Sequence, residues 1–538
     1  MAALTDDSPS RPRATPRLGL VLVVAAAAVL AAIGLGPASA GGARTSAAGR
    51  TDAKIGSPAP ATLDPAAAGD VGTASVTAQL YESLTTFDSG LVLRPALAQS
   101  WDVATDGRQV VFHLRPGLTF SDGTALTADD VVGSWLRLVN PRAPSPLSAL
   151  LLGVRGVRDF LAGRATDPAS VGIHAVDGTV VVDLDAPGSD FPAIVASPSF
   201  GVVPPSIWRD RSPVPSTDQV VSGGYSISAA STSELTLTAN ARYWAGAPVI
   251  PTIHLITDIG NRNPVAAFQA GDVDSIQIGA IDASWIAFDS VLGPQLRRVP
   301  ELSLTYLGFD VSRPPFDNLL VRRAVGEAVD WTRVVQLAAA PGQVPADSMV
   351  PAGIPGRGTA SWLPVHDPAG ARALLAQAGY PNGAGLPPLT LGAGGEPYAE
   401  GIAADLQREL GLTVRIEDDT DHYARLSSDS PAMWELGWIA DYPGPNDFLG
   451  VLLGSDSTSN TGKWQSPAFD AALATALGTR DPAAAQAGYE QALGIVQRAV
   501  PAVPLSYGDT WALSRTGLLG AAENGLGFKR LAGLSWAR

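Results

Sequence analysis

Between Glu435 and Leu449 the chain reads Glu-Leu-Gly-Trp-Ile-Ala-Asp-Tyr-Pro-Gly-Pro-Asn-Asp-Phe-Leu. An apolar run ends in a carboxylate, Asp441, set between Trp438 and Tyr442. Each of these aromatics combines flat apolar surface with one polar group. A carboxylate is normally disfavoured in such surroundings. Pro443 and Pro445 then break any regular element. The stretch reads either as a strand delivering an acid and two aromatics to a cleft, or as a strand ending in a solvated Asp-Tyr-Pro turn.

Catalytic chemistry finds little support. No Gly-x-Ser-x-Gly elbow or His-Glu-x-x-His pair is present, and Gly462-Lys463 lacks the upstream glycine of a phosphate loop. His113, His174, His254, His366 and His422 are scattered. The acidic run Glu417-Asp-Asp-Thr-Asp-His422 has oxygens suited to a divalent cation, but not the calcium-loop order with its central glycine. It reads as a solvated loop. With no cysteine, disulfides, thiolate metal sites and thiol nucleophiles are excluded.

The elements that must position these residues follow an α/β grammar. Thr127-Ala-Asp-Asp130 is a capping box opening a helix. Asn263-Pro264 starts a helix that Gly271 stops, and Asp367-Pro368 starts one that Gly379 ends. Asp481-Pro482 starts a long one ending near Arg498. Strands are expected at 110–114, 179–184, 235–238, 250–256, 273–278, 302–309, 413–417 and 503–507. Helix–strand alternation through the second half implies α/β architecture.

At 538 residues the chain exceeds a single core. A net charge of −15 argues against nucleic-acid binding, which needs basic stripes. Arginine supplies nearly all positive charge; the lysines are Lys54, Lys463 and Lys529. Arg11, Arg13 and Arg17 precede an apolar run from Leu18 to Leu35 and a small-residue Ala38-Ser39-Ala40 site. This reads as a secretory signal cut after Ala40, or as an uncleaved anchor. Either way the remainder lies outside the cytoplasm. Residues 41–60, mostly small and polar, read as a flexible leader.

An ordered series of segments carries a resemblance. It begins with Tyr81-Glu-Ser-Leu-Thr-Thr-Phe87, Pro95-Ala-Leu-Ala-Gln-Ser-Trp101, Val111-Phe-His-Leu-Arg115 and Gly117-Leu-Thr-Phe-Ser-Asp-Gly123. It continues through Asn240-Ala-Arg-Tyr-Trp244, Gly271-Asp-Val-Asp274 and Pro314-Pro-Phe-Asp-Asn318. It closes with Gly437-Trp-Ile-Ala-Asp-Tyr-Pro443 and Pro501-Ala-Val-Pro-Leu505. Over roughly residues 60–515 this resembles the family 5 extracellular solute-binding proteins, the peptide- and nickel-type binding subunits of ABC importers.

The resemblance implies a two-lobe periplasmic-binding-protein type II α/β fold that closes on its ligand. Lobe I would span residues 61–305, with an inserted subdomain at about 90–205. Lobe II would span 306–507, and residues 508–538 would return to lobe I. The chain would cross between lobes at Tyr306–Asp310 and return at Pro501–Tyr507. Asp441 would pair with the ligand's amino terminus, Trp438 would form a wall, and the backbone around Gly437–Ile439 would bind an extended peptide. Tyr442, Tyr81, Glu82 and Tyr507 complete the expected ligand-binding set, with no metal and no cofactor. The implied function is a monomeric, non-enzymatic, extracytoplasmic protein delivering a ligand, foremost a short peptide, to ABC permease subunits. The alternative is an envelope sensor of a glycolipid, sugar or metal chelate without transport. Two departures stand out. Glu435 occupies a position where some peptide binders carry a basic residue for the ligand carboxylate, and no lipid-attachment cysteine is present.

Overall fold

A computed structural model describes residues 50–210, 213–338, 343–395, 397–418, 422–521 and 525–537. The signal segment and residues 419–421 of the acidic run lie outside the described residues. Among the described residues no helix is long and apolar enough to cross a membrane.

Two large sheets organise the chain. The first has seven strands, in the spatial order 296–300, 509–514, 275–278, 52–56, 252–256, 234–239 and 225–230. The second has six, in the order 344–345, 502–507, 303–309, 433–439, 389–393 and 414–418. A third, four-stranded sheet is built from 98–103, 109–114, 179–183 and 173–176. Each sheet packs helices on an apolar core, as alternation of half-buried residues requires.

The local signals for helices are obeyed. Thr127 N–H donates to Asp130 Oδ2 at 2.8 Å and closes the expected capping box on Ala128–Leu138. Asn263 Oδ1 accepts from Val265 N–H at 2.7 Å, and Gly271 takes φ 82° to end Pro264–Ala270. Asp367 and Asp481 likewise cap Pro368–Gln377 and Pro482–Ala499.

Two expectations change. Residues 41–60 are not all leader, because Asp52–Gly56 is a central strand of the first sheet, parallel to Thr252–Ile256. Only Ala53 and Ile55 are buried in it, so no long apolar run marks it. Its neighbours, some 200 residues away, define it. The passage between sheets also falls earlier than Tyr306. Strand 296–300 belongs to the first sheet, whereas Ser303–Phe309 lies wholly in the second and pairs with Met433–Ile439. The return falls between Tyr507 and Asp509. Leu304, Tyr306 and Leu307 are buried on the second sheet, and that burial decides which sheet takes the strand.

Candidate functional site

Met433–Ile439 runs antiparallel to Ser303–Phe309 along its full length, placing Trp438 opposite Leu304 and Gly437 opposite Thr305. Its pairing with Leu389–Ala393 covers only Met433 and Trp434. The strand ends at Ile439, and Asp441 follows as the chain turns toward the helix Pro445–Leu453. Both prolines sit where no ladder or helix hydrogen bond is lost.

The turn folds back on itself through Asp447, in the first turn of that helix. Asp447 Oδ2 accepts from the Trp438 indole N–H at 3.2 Å and from the Asp441 backbone N–H at 3.0 Å. Asp447 is fully buried. Its Oδ1 and the Oδ2 of Asp441 are both sealed from solvent, with no hydrogen-bond partner among the described residues. Burial pushes the Asp441 carboxyl up to about 7. Burial and the neighbouring Asp441 charge push Asp447 well above the carboxylate range, despite its two donors. A pair of carboxylates this deep is unfavourable unless a proton or a cation compensates it.

Tyr442 is fully buried in the core of the third sheet, and its hydroxyl donates to Asp190 Oδ2 at 2.6 Å. Trp438 touches the cores of both the second and third sheets. The acid pair therefore lies at a seam where the segment 433–453 meets the 90–205 region. Ser189 N–H donating to the Leu477 carbonyl at 3.1 Å, and Arg158 against Asp456 at 3.0 Å, join the 90–205 region to residues that follow that segment.

The remaining expected residues lie elsewhere. Tyr81 ends the helix Val71–Leu80 fully buried in the first sheet's core, its hydroxyl without a partner. Glu82 is buried beside it. Its Oε1 accepts from Arg530 Nη1 at 2.6 Å, and its Oε2 accepts from the Tyr243 hydroxyl. Glu82 thus ties the C-terminal segment to the first sheet. The Tyr507 hydroxyl accepts from Ser348 N–H at 3.0 Å and faces Asp347 at 3.0 Å, within its own sheet region. The structure joins Gly437, Trp438 and Asp441 in one place, holds Glu82 and Tyr507 in separate hydrogen-bonded settings and buries Tyr81 in the first sheet's core.

Asp447 and Asp190 were not singled out from sequence. Asp447 stands two residues past a proline, where an acid in a first helical turn is an ordinary surface feature. Asp190 lies in a proline-rich loop. No local signal separates either from a solvated acid. Within the described part of the acidic run, Glu417 meets Arg415 and Arg425. His422 Nε2 lies 2.8 Å from the Glu435 carbonyl. No group of metal-ligating side chains occurs among the described residues.

Two α/β sheets joined by paired crossings, with an acid-lined seam, define a two-lobe ligand-binding protein. The fold is that of solved binding proteins. The murein tripeptide binding protein MppA of Escherichia coli superposes with a TM-score of 0.79 at 24% identity, covering 91% of this chain and 99% of that one. Haemophilus influenzae OppA, in complex with RPPGFSPFR, superposes with a TM-score of 0.77 at 22% identity over 91% and 99%. Residues 92–460 match the bacterial extracellular solute-binding proteins, family 5 Middle, and the chain belongs to that family. Among its relatives is the probable deoxycholate-binding periplasmic protein YgiS of Escherichia coli, 29% identical over 83% of this chain and 86% of the relative. The periplasmic oligopeptide-binding protein OppA of Salmonella typhimurium is 28% identical over 83% and 84%.

Proposed function

We propose that this solute-binding protein captures a short peptide at the seam between its lobes, outside the cytoplasm, and presents it to the permease of an ABC importer. The observation that carries this reading is the sealed, unpartnered Oδ2 of Asp441 at the end of Met433–Ile439. A peptide's ammonium group supplies the charge the carboxylate lacks, in surroundings where a charge-assisted bond is strong. Trp438 gives a flat wall, and the peptide main chain lies alongside Gly437–Ile439 in strand fashion. The seven-stranded sheet, built from strands between 52 and 300 and from 509–514, forms the first lobe, the six-stranded sheet forms the second, and the 90–205 region is a subdomain of the first. The protein acts as a monomer by binding alone, without catalysis or cofactor.

The deoxycholate in one relative's name is an anion. Here it would meet Asp441 and Asp447, so an amine-bearing ligand fits this chain better. The test is calorimetric titration of trialanine and its N-acetylated form. Trialanine should bind and the acetylated form should not. Asp441→Ala should weaken trialanine by about 2–5 kcal/mol, the usual cost of truncating one partner of a buried charge pair. Equal affinity for the two peptides would refute the amine-anchor reading.

A further inference from the structure

The helix Pro445–Leu453 carries two apolar faces. Phe448, Leu449, Leu452 and Leu453 are buried with Trp434 and Leu436 in the core of the second sheet. Val451, on the same helix, and Tyr442, in the turn before it, are buried instead in the core of the third sheet. The other buried members of that core, among the described residues, come from residues 84–202. Tyr442 and Val451 are therefore guests. Their backbone belongs to the body that carries the second sheet, yet their side chains fill a core built by the 90–205 region. Close packing of this kind exists only while the two bodies stay together.

The guest ring also meets a carboxylate. The Tyr442 hydroxyl donates to Asp190 Oδ2 at 2.6 Å and accepts from Asn446 Nδ2 at 3.2 Å. Asp190 precedes the short helix Phe191–Ile194, but its side chain does not cap that helix. A hydroxyl bound to a carboxylate away from water is among the stronger hydrogen bonds. The Arg158–Asp456 pair differs: its side chains are 44% and 74% exposed, and such pairs contribute little.

One turn presents this bond and the acid pair together. Tyr442 follows Asp441 directly, and Asn446 precedes Asp447. Asp447 holds the Asp441 N–H, and Gly444 N–H donates to the Tyr442 carbonyl at 2.8 Å. A Cβ on Gly444 would collide with Cε2 of the Tyr442 ring, so glycine lets the ring fold against the turn. Asp441 and Tyr442 therefore move as one piece, with opposite energetic senses. Enclosing two carboxylates without a cation opposes closure of the seam. Seating the Tyr442 ring and hydroxyl favours it. A ligand that supplies the cation removes the first effect and leaves the second.

We propose that Tyr442 and Asp190 form a latch between the lobes, holding the second lobe against the 90–205 subdomain and setting how long a bound ligand stays enclosed. Both are positioning residues that act through closure without touching the ligand. The assignment rests on the lobe division and the peptide reading proposed above. Loss of the latch lowers the population of the closed form and raises the apparent Kd by the same factor.

The test measures the Kd and dissociation rate of trialanine in the wild type, Tyr442→Phe, Asp190→Ala and the double variant. Each single substitution should weaken binding about tenfold, through faster dissociation, because each removes one hydrogen bond to a charged or buried partner. The double variant should be no weaker than either single, as for two halves of one contact. Asp190→Asn, whose amide oxygen still accepts, should bind more tightly than Asp190→Ala. A merely structural role would shift the urea midpoint and leave the Kd unchanged. An unchanged Kd in either single variant, or single effects that add in full in the double variant, overturns the latch. The chain has no cysteine, so spin labels at Ala175→Cys and Ala376→Cys, both exposed positions, report the distance between the 90–205 region and the second lobe. If the wild type binds no trialanine, the peptide reading fails and this distance in the ligand-free protein decides the latch separately. A longer distance in Tyr442→Phe than in the wild type upholds it, and an unchanged one overturns it.

Discussion

Titrating a peptide with a free amino terminus between pH 5 and pH 9 tests whether the Asp441 carboxylate meets a cation. Burial holds this carboxyl at about 7 in the ligand-free protein. An ammonium group binds the ionised form. Apparent affinity should therefore rise with pH and level off above 7. Each unit below that point costs about tenfold, or 1.36 kcal/mol, so at pH 5 binding should be about 100-fold weaker than on the plateau. Near pH 8 the peptide's own α-amino group begins to lose its proton, and affinity should fall again. The expected profile is a bell with a narrow top between about 7 and 8. Stability of the free protein moves the other way. The folded-state carboxyl lies above its unfolded value of about 3.9, so the folded state holds more protons between these values. Its stabilisation is complete below about pH 4 and is lost as pH rises through 7. For Asp441 the loss is on the order of 4 kcal/mol, and Asp447, also raised by burial, acts in the same direction. Calorimetric titrations and thermal unfolding of the free protein, each as a function of pH, measure both. Asp441→Asn should flatten both profiles between pH 5 and 7. Wild-type affinity that stays level over that range would refute the buried-carboxylate argument, as would an unchanged stability slope in Asp441→Asn.

Two further outcomes concern the frame that holds the site. Glu82→Ala should lower stability by about 3–5 kcal/mol, toward the lower end because Arg530 keeps some solvent contact, and Glu82→Gln should cost less; a urea midpoint within error of wild type would count against the Glu82–Arg530 tie. Gly308→Ala should cost about 1–3 kcal/mol in the same assay, since its Cβ would sit 2.5 Å from Cε2 of the Trp434 ring on the neighbouring strand; an unchanged midpoint would show that Trp434 has room to move.

Much of this protein could be read in one dimension. Helix starts at Thr127, Asn263, Asp367 and Asp481 depend on hydrogen bonds that span two or three residues, and the residue types alone specify them. Apolar patterning marked strands 234–239, 252–256 and 275–278 of the first sheet and 303–309, 414–418 and 502–507 of the second. The ordered segments from Tyr81 to Leu505 pointed to the family, and the run ending in Asp441 showed that an acid follows a strand.

Burial and partnership over long separations were decided only by the folded chain. Asp52–Gly56 is a central strand because residues 252–256 and 275–278 flank it, not because of its own composition. Tyr442, read as a ligand contact, turns into the third sheet's core to reach Asp190, 252 residues away. Glu82 spends its charge on Arg530, 448 residues away. Asp447, an unremarkable acid by spacing, becomes the buried partner of Trp438 and of the Asp441 amide. The Lys529 carbonyl is held by Gln79, 450 residues earlier. A side chain's type states what charge or surface it offers. Whether that charge faces solvent, a distant counter-charge or a ligand depends on which remote segment excludes water from it, and only the tertiary structure sets that.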